Sequence, residues 1–326
     1  MGTGSAKISV TIPVYNCEPY IAECAASLME QTYGDIEYIF VNDASTDRSL
    51  HILTDTINRY PHRIGQVKII SLPHNTGLAN ARNTGINAMT GDYFTFCDGD
   101  DWIEKDAFST MLLKARSENA EVVCTPFFIN TSKREKKIQL PRYKKWDLNN
   151  IPLDTVHFSL SNKLFKSSIF HDNKLRVFDS VNCWEDLSIT SRIFALTSNI
   201  VILNTPFYHY RKQANSSLTT SGHKRILKDH IICARKLDEW FSTQGDSFYN
   251  KYTGFLLFLK FTSKIKMLRG REKDIAGWKN TFPETNSRIL DFKHIPRHFR
   301  LLFHLAYILP TGLAQYIANR SEIFYE

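Results

Sequence analysis

The sequence lacks the short motifs that mark several common classes of protein. None of its six cysteines forms a CxxC pair, and their spacing gives no compact framework, so we expect reduced thiols rather than disulfides or a zinc site. The GxGxxG and GxxxxGKS/T patterns are absent, which disfavours a dinucleotide oxidoreductase and a P-loop NTPase. Because no basic, apolar signal segment follows the first residues, we expect a cytoplasmic protein.

Acidic residues are scarce in the last third of the sequence. Residues 201–326 contain 20 Lys and Arg against 10 Asp and Glu, whereas residues 1–100 contain 6 against 11. The net charge is +8, and 43% hydrophobic residues over 326 positions are enough to bury a full core. A basic C-terminal half suits phosphate-bearing partners such as anionic lipid, lipid-linked pyrophosphate or nucleic acid, and a solvated surface explains it equally well.

Short β-rich runs alternate with helical patterns through the first 130 residues. The sequence predicts strands at 8–14, 36–41, 67–72 and 93–97, with helices at 20–31, 45–60 and 79–89 between them. Such alternation is typical of an α/β fold with a mostly parallel sheet flanked by helices. From about residue 225 the pattern becomes largely helical.

Polar residues follow three of these predicted strands. Asn16 comes after the first strand, Asp43 after the second, and the Asp-Gly-Asp-Asp run 98–101 after the fourth. Ligands of parallel sheets bind where the strands end, so these residues are expected to converge on one crevice. Three neighbouring carboxylates repel one another unless a cation is close, so the run indicates a divalent metal that carries phosphates, with a plain polar turn as the alternative.

These residues belong to five motifs that occur in a recognisable order. The motifs are Pro13-Val14-Tyr15-Asn16, the segments 41–47 and 75–83, the acidic run 98–101, and Trp184-Glu185-Asp186. Over roughly residues 7–215 the sequence resembles the family 2 glycosyltransferases of bacterial surface-polysaccharide type. The resemblance implies an inverting enzyme of the GT-A (Rossmann-like) fold that uses a nucleotide-diphosphate sugar.

The first three motifs are expected to bind the nucleotide. A carboxylate such as Asp43 can accept the imide N–H of uracil, which favours a UDP-sugar, while Pro13 and Tyr15 would pack against the nucleoside. Asn16 lies at the same edge and is assigned to the donor site with them. Arg82 would either donate to the diphosphate or hold the acidic run through a structural salt bridge.

The acidic run and a later stretch are expected to hold the metal and the phosphates. Asp98 and Asp100 form a DXD pattern for Mn²⁺ or Mg²⁺. Together with Gly99, which stands where the family often has Ser, they are assigned to the donor site. The stretch 208–211 resembles a family segment near the donor phosphates, in which His209 is a candidate third metal ligand and Arg211 a candidate phosphate contact. A packed histidine is the alternative for His209.

The pair Glu185-Asp186 is expected to face the acceptor. In the family the aspartate of this pair is the usual general base, so Asp186 is assigned to remove the acceptor hydroxyl proton. Glu185 would position the acceptor or neighbouring groups, with a helix-start carboxylate as the alternative. No Q-x-x-R-W signature of processive enzymes is present, which favours the addition of one sugar.

The predicted organisation has three parts. Residues 1–6 are a tag or disordered start, residues 7–220 the GT-A catalytic domain, and residues 221–326 a basic helical extension. Within the catalytic domain, 7–130 would bind the nucleotide sugar and 131–220 would supply the acceptor and base part. The basic, aromatic stretch 133–146 is predicted to be a loop over the sheet.

The segment 301–319 contains no Lys, Arg, Asp or Glu. Its length of 19 residues is at the lower limit for a helix that spans a membrane. Pro310 would break it, so we expect two short amphipathic pieces, within 297–320, on an anionic membrane surface. The alternative, equally supported, is that they cover the core or form an oligomer interface such as a homodimer.

The expected function is therefore transfer of a sugar from a UDP-sugar to a saccharide acceptor, lipid-linked by analogy, in cell-surface polysaccharide biosynthesis. A retaining GT-A transferase and a non-catalytic protein that binds sugar nucleotide or glycan are the alternatives. No nucleic acid partner is expected, although the basic stretch 133–146 keeps that class as a third alternative.

Overall fold

The computed structural model describes residues 5–140, 146–179, 181–212, 223–268 and 273–320. The chain divides into two compact units, Met1–Trp146 with Asp154–Ser217 and Asp147–Leu153 with Leu218–Glu326. Parts of the predicted start and of the basic stretch, and the proposed boundary at 220, lie outside the described residues, so the predicted domain limits stay predictions.

The short segment 147–153 belongs to the second unit, which no sequence pattern indicated. Asn149 explains this grouping, because its side chain donates to the carbonyl of Lys251 at 2.9 Å and accepts from the backbone N–H of Phe255 at 2.9 Å. Hydrogen bonds of this kind between distant segments leave no local signature in the sequence.

The first unit contains strands and helices in alternation. They are β1 Ile8–Val14, α1 Ile21–Met29, β2 Ile36–Asn42, α2 Ser49–Asn58, β3 Val67–Ser71, α3 Leu78–Ala88, β4 Tyr93–Phe96, β5 Trp102–Ile103, α4 Ala107–Ser117, β6 Val122–Cys124, β7 Phe127–Asn130, β8 Glu135–Ile138, α5 Thr155–Phe158, β9 Lys163–Lys166, α6 Ser168–Asp172, α7 Glu185–Leu196, β10 Ile200–Ile202 and β11 Tyr208–Arg211.

The main sheet has the strand order β10-β6-β9-β4-β1-β2-β3 and is parallel except at β9. In β1, the apolar Ile8, Val10 and Ile12 alternate with the polar Ser9 and Thr11, and all five are fully buried because both faces of the sheet are covered. The order places the carboxyl ends of β4, β1 and β2 side by side. The α/β fold with a mostly parallel sheet, predicted from the alternating pattern, is confirmed.

A second sheet has the order β5-β11-β7-β8, and it corrects one prediction. The stretch predicted to be a loop contains β8, which pairs antiparallel with β7. Its sequence Glu-Lys-Lys-Ile gave no strand signal because β8 lies at the edge of the sheet, where exposed charged side chains are common.

The second unit is helical, as predicted for the C-terminal part of the sequence. Its helices are α8 His223–Ser242, α9 Asp246–Lys264, α10 Ile275–Asn280, α11 Arg297–Ile308 and α12 Thr311–Arg320, with a 3-10 helix at Pro283–Asp291. Their core is built from Phe261, Leu268, Trp278 and Phe303. Within the described ranges, no helix has both the length and the apolar character that crossing a bilayer requires.

Candidate active site

The acidic run 98–101 forms a turn directly after β4. Asp98 accepts hydrogen bonds from Arg82 Nη2 at 2.9 Å and from Ser161 Oγ at 3.3 Å. A Cβ atom at Gly99 would lie 2.8 Å from the carbonyl oxygen of Pro13. Glycine is therefore required here because the turn packs directly against the end of β1.

Asp101 fixes this turn to β11. Its buried carboxylate accepts from the hydroxyl of Tyr208 and, at 2.7 Å, from the backbone N–H of Arg211. Burial and the neighbouring Asp100 raise the pKa of Asp101 well above its ordinary value. Asp101 thus has a structural role, and Tyr208, which the sequence analysis missed, is its partner.

Asp100 and Arg211 lie beside each other. The Nε of Arg211 donates to the carbonyl oxygen of Asp100 at 2.9 Å, and its guanidinium lies 4.5 Å from the centroid of the Trp102 ring and also contacts Glu23. Burial and then Asp98 raise the pKa of Asp100 to about 6, while Arg211 opposes that rise. A further cation close to Asp100 would lower this pKa.

The acidic run offers a divalent metal a pair of carboxylates, those of Asp98 and Asp100. Among the described residues, no group of three or more His, Cys, Asp and Glu side chains is arranged to hold a metal ion. Mg²⁺ and similar ions are commonly held by one or two carboxylates together with substrate phosphates and water. Asp98 and Asp100 remain the predicted pair for such an arrangement.

His209 lies in an aromatic sandwich. Its ring stacks on Trp102 at 4.7 Å and on Phe128 at 4.6 Å between centroids. Its Nε2 is 2.9 Å from Glu104 Oε1 and its Nδ1 is 3.2 Å from Asn130 Oδ1, so both ring nitrogens already have protein partners. This environment is that of a packed histidine, the alternative given for His209 above. We therefore leave His209 out of the metal site proposed below.

Arg82, on α3, connects the acidic turn to the Glu185-Asp186 pair. Its guanidinium is 4% exposed and contacts Asp98 Oδ1 at 2.9 Å and Glu185 Oε1 at 2.5 Å. Asp98 and Glu185 raise the pKa of Arg82 further above its ordinary value despite the burial. The structural salt bridge, one of the two roles expected for this residue, is present, and contact of Arg82 with the diphosphate stays a prediction.

Glu185 and Asp186 form the first turn of α7, after Trp184 in a left-handed conformation with φ 73°. Burial raises the pKa of both carboxyls, and the Arg82 guanidinium opposes the rise in each. Glu185 is buried in its ion pair, whereas Asp186 is partly exposed and accepts from the backbone N–H of Leu187 at 2.7 Å. Asp186 is thus the more exposed residue of the pair.

Asp43 has a role that the sequence analysis missed. It is 3% exposed and accepts from the backbone N–H and hydroxyl of Thr76, at 2.7 and 2.9 Å, and from the N–H of Gly77 at 2.8 Å. These bonds hold the turn that starts α3, where Gly77 has a φ of 89°. Recognition of uracil by Asp43 stays a prediction, and the structure adds this anchoring role.

The residues expected to pack against the nucleoside lie at the carboxyl end of β1 and are at least partly exposed. Tyr15 is 49% exposed at the carboxyl end of β1, close in sequence to the partly exposed Pro13. Asn16 adopts a left-handed φ of 47°, and its Oδ1 accepts from the backbone N–H of Thr46 at 2.8 Å. Asn16 therefore joins the loops that follow β1 and β2.

Lys163, the first residue of β9, is fully buried. Its Nζ donates to the carbonyl of Ser159 and to Asn162 Oδ1, and burial lowers its pKa to about 8.

The chain resembles known proteins in sequence and in fold. The profile of the family described as "Glycosyl transferase family 2" matches residues 9–173. "Glycosyltransferase GlyA" of Streptococcus pneumoniae is 33% identical over 64% of this chain and 31% of its own length, and "Uncharacterized glycosyltransferase EpsJ" of Bacillus subtilis is 30% identical over 69% and 66%. The chain thus spans about a third of the first relative and about two thirds of the second.

Among solved structures, S. aureus TarS 1–349 in complex with UDP-GlcNAc superposes with a TM-score of 0.64 at 18% identity. The superposition covers 96% of this chain and 89% of that one. At this identity the likeness shows a shared fold and nothing further.

Proposed function

Since the chain belongs to glycosyl transferase family 2, we propose that it is an inverting glycosyltransferase that transfers a sugar from a UDP-sugar to a saccharide acceptor. One observation carries the proposal. Arg82 contacts both Asp98, in the expected donor motif, and Glu185, next to the expected base, and this hydrogen-bonded cluster supports a site that combines the two.

The donor half of the proposed site comprises the carboxyl ends of β1, β2 and β4. Asp98 and Asp100 would hold Mn²⁺ or Mg²⁺, which when bound offsets the negative charge of the diphosphate. Arg211, beside Asp100, would contact the departing phosphates. Pro13, Tyr15, Asn16 and Asp43 are proposed to bind the nucleoside, and that TarS was solved with UDP-GlcNAc supports a nucleotide sugar as ligand.

The acceptor half is proposed to depend on Asp186. One of its carboxylate oxygens takes the proton of the acceptor hydroxyl. At the same time the hydroxyl oxygen of the acceptor bonds to the sugar C1, and the bond from C1 to the diphosphate breaks. Attack from the face opposite the diphosphate inverts the anomeric centre. The raised pKa of Asp186 makes it a stronger base, and Glu185, held by Arg82, is a positioning residue.

The proposed acceptor is a lipid-linked saccharide of a cell-surface polysaccharide pathway. We propose that the protein acts on this acceptor in the cytoplasm. Both rest on the resemblance to bacterial surface-polysaccharide enzymes and on the basic C-terminal charge.

The test is release of UDP from a panel of UDP-sugars with Mn²⁺ and oligosaccharide acceptors, followed by the anomeric configuration of the product. We expect turnover with one donor and an inverted product, and loss of turnover in Asp186→Asn. A retained configuration would identify a retaining enzyme. Binding of UDP and metal with no turnover for any donor would identify the non-catalytic alternative.

A further inference from the structure

Two consecutive helices of the second unit are apolar on the side that faces solvent. Toward the core, α11 packs Phe303 and Ala306, and α12 packs Ala314 and Ala318. Of the twelve large hydrophobic residues that stand exposed in the described part of the chain, seven lie in these two helices. The seven are Leu301, Leu305, Tyr307, Ile308, Leu313, Tyr316 and Ile317. This concentration is greater than scattered surface residues would give.

The exposed residues form stripes along the outer sides of the helices. Leu301, Leu305 and Ile308 follow one another at intervals of four and three positions, which places them on one face of α11, and they are 48, 50 and 57% exposed. Leu313 and Ile317 stand one turn apart on α12. We call these five residues the exposed apolar face.

The segment of sequence that carries this face is basic. Between positions 292 and 320 the sequence contains four Lys and Arg residues and no Asp or Glu. Lys293 and Arg297 precede or begin α11 and are exposed, and Arg300 donates to the carbonyl of Leu290 at 2.5 Å. An apolar stripe accompanied by cations is complementary to a membrane of anionic lipid, whose headgroups are negatively charged and whose acyl chains below them are apolar.

We propose that α11 and α12 dock the protein on anionic lipid. The exposed apolar face enters the boundary between headgroups and acyl chains, while Lys293 and Arg297 contact lipid phosphates. Helices of 12 and 10 residues, separated by Pro310, are too short to span a bilayer and suit a position in its surface plane. A second copy is a poorer occupant, because a twofold contact would bring the same cations together with no acidic residue from 292–320 between them.

The test is flotation of the full chain with vesicles of phosphatidylcholine alone and of phosphatidylcholine mixed with phosphatidylglycerol. We expect binding to the mixed vesicles that weakens with salt. The double variant Leu305→Ser with Ile308→Ser should bind about tenfold more weakly or worse. Lys293→Gln with Arg297→Gln should weaken binding about fivefold for each cation removed.

The matched control is Ile64→Ser with Leu113→Ser, which removes two exposed hydrophobic residues from the first unit and should leave vesicle binding unchanged. Circular dichroism and thermal melting establish that all variants fold. The proposal is overturned if wild type does not float with the mixed vesicles, or floats equally well after the apolar substitutions. It is also overturned if sedimentation velocity shows a dimer that Leu305→Ser with Ile308→Ser dissociates, since the face would then belong to a second copy.

Discussion

Arg82 and Glu185 are 103 positions apart in the sequence, yet Nη1 of Arg82 donates to Oε1 of Glu185 at 2.5 Å. The other end of the same guanidinium contacts Asp98. The position of the proposed base on α7 is therefore coupled to the position of the acidic turn after β4. A planar donor that can serve two carboxylates at once is what distinguishes Arg from Lys at this place.

We predict that Arg82→Lys impairs catalysis beyond its effect on folding. A single ammonium cannot keep both contacts, and a buried carboxylate left unpaired costs about 3–5 kcal/mol of stability. A base displaced by about 1 Å lowers turnover by about 10²-fold. The measurement is kcat for UDP release, with the free energy of unfolding from urea titration.

Arg63→Lys is the control for this prediction. Arg63 is also buried, but it donates to the backbone carbonyls of Met29, Gly34, Gln31 and Tyr33, away from the acidic cluster. Its replacement should lower stability while kcat of the folded fraction stays near wild type. Equal losses of kcat in the two variants would remove the argument for a positioning role of Arg82.

The pH dependence of the reaction should report on Asp186. Burial raises the pKa of this carboxyl, and a general base acts only when deprotonated, so kcat/KM should rise with pH through a value above the ordinary pKa of Asp and fall about tenfold per pH unit below it. Asp186→Asn should lower kcat by about 10²–10⁴-fold and abolish this limb of the profile. Persistence of the limb in Asp186→Asn would assign it to another group.

Removal of the divalent metal should abolish binding of UDP, the product that the donor leaves behind. We expect Mn²⁺ with UDP to raise the melting temperature of wild type, and EDTA to reverse the rise. Asp100→Asn should lose the shift because one of the two carboxylates proposed above to hold the metal is gone. Asp106→Asn, which changes a carboxylate beyond the acidic turn, serves as the control and should keep it. An unchanged shift in Asp100→Asn would place the metal elsewhere.

Gly99→Ala should damage the turn that the proposed metal site needs. The added Cβ would meet the carbonyl oxygen of Pro13 at 2.8 Å, and because that oxygen belongs to the backbone, relief requires the turn to move. Overpacking of this kind costs about 1–3 kcal/mol, so unfolding should come earlier in urea and UDP should bind more weakly. Gly65→Ala is the control, since nothing lies within 4 Å of its Cβ position, and a loss of similar size there would contradict this account.

The comparison of sequence and structure shows which features local patterns can predict. The strand 8–14 coincides with β1 because a short apolar run bounded by turn residues has few other interpretations. The polar edges after β1, β2 and β4 were predicted because parallel strands end on one side of a sheet.

The partners of those edges could not be predicted, because they come from distant segments. Nothing near His209 in the sequence indicates that Trp102 and Phe128 enclose its ring, and nothing near Arg82 selects Glu185. Candidate residues were therefore identified by type, while their contacts depended on a tertiary arrangement that periodicity does not encode.

One substitution at Asp43 can separate its proposed recognition of uracil from its anchoring of the turn that starts α3. If its carboxylate also accepts the imide N–H of uracil, Asp43→Asn would present an amide that can donate to cytosine in its place. The ratio of UDP to CDP affinity should then fall by about tenfold or more, since a mismatched polar pair costs about 1–3 kcal/mol. Calorimetric titration of both nucleotides measures this ratio.

If Asp43 only anchors the turn at Thr76 and Gly77, the same substitution should weaken both nucleotides equally. The new NH₂ group would face a backbone N–H, so stability should fall by about 1–3 kcal/mol in either case. Thr76→Ala is the matched variant, because it removes a hydrogen bond to the same carboxylate at 2.9 Å without altering the carboxylate. A preference for UDP kept in Thr76→Ala and lost in Asp43→Asn would assign base recognition to Asp43, whereas an unchanged ratio in both would restrict it to anchoring.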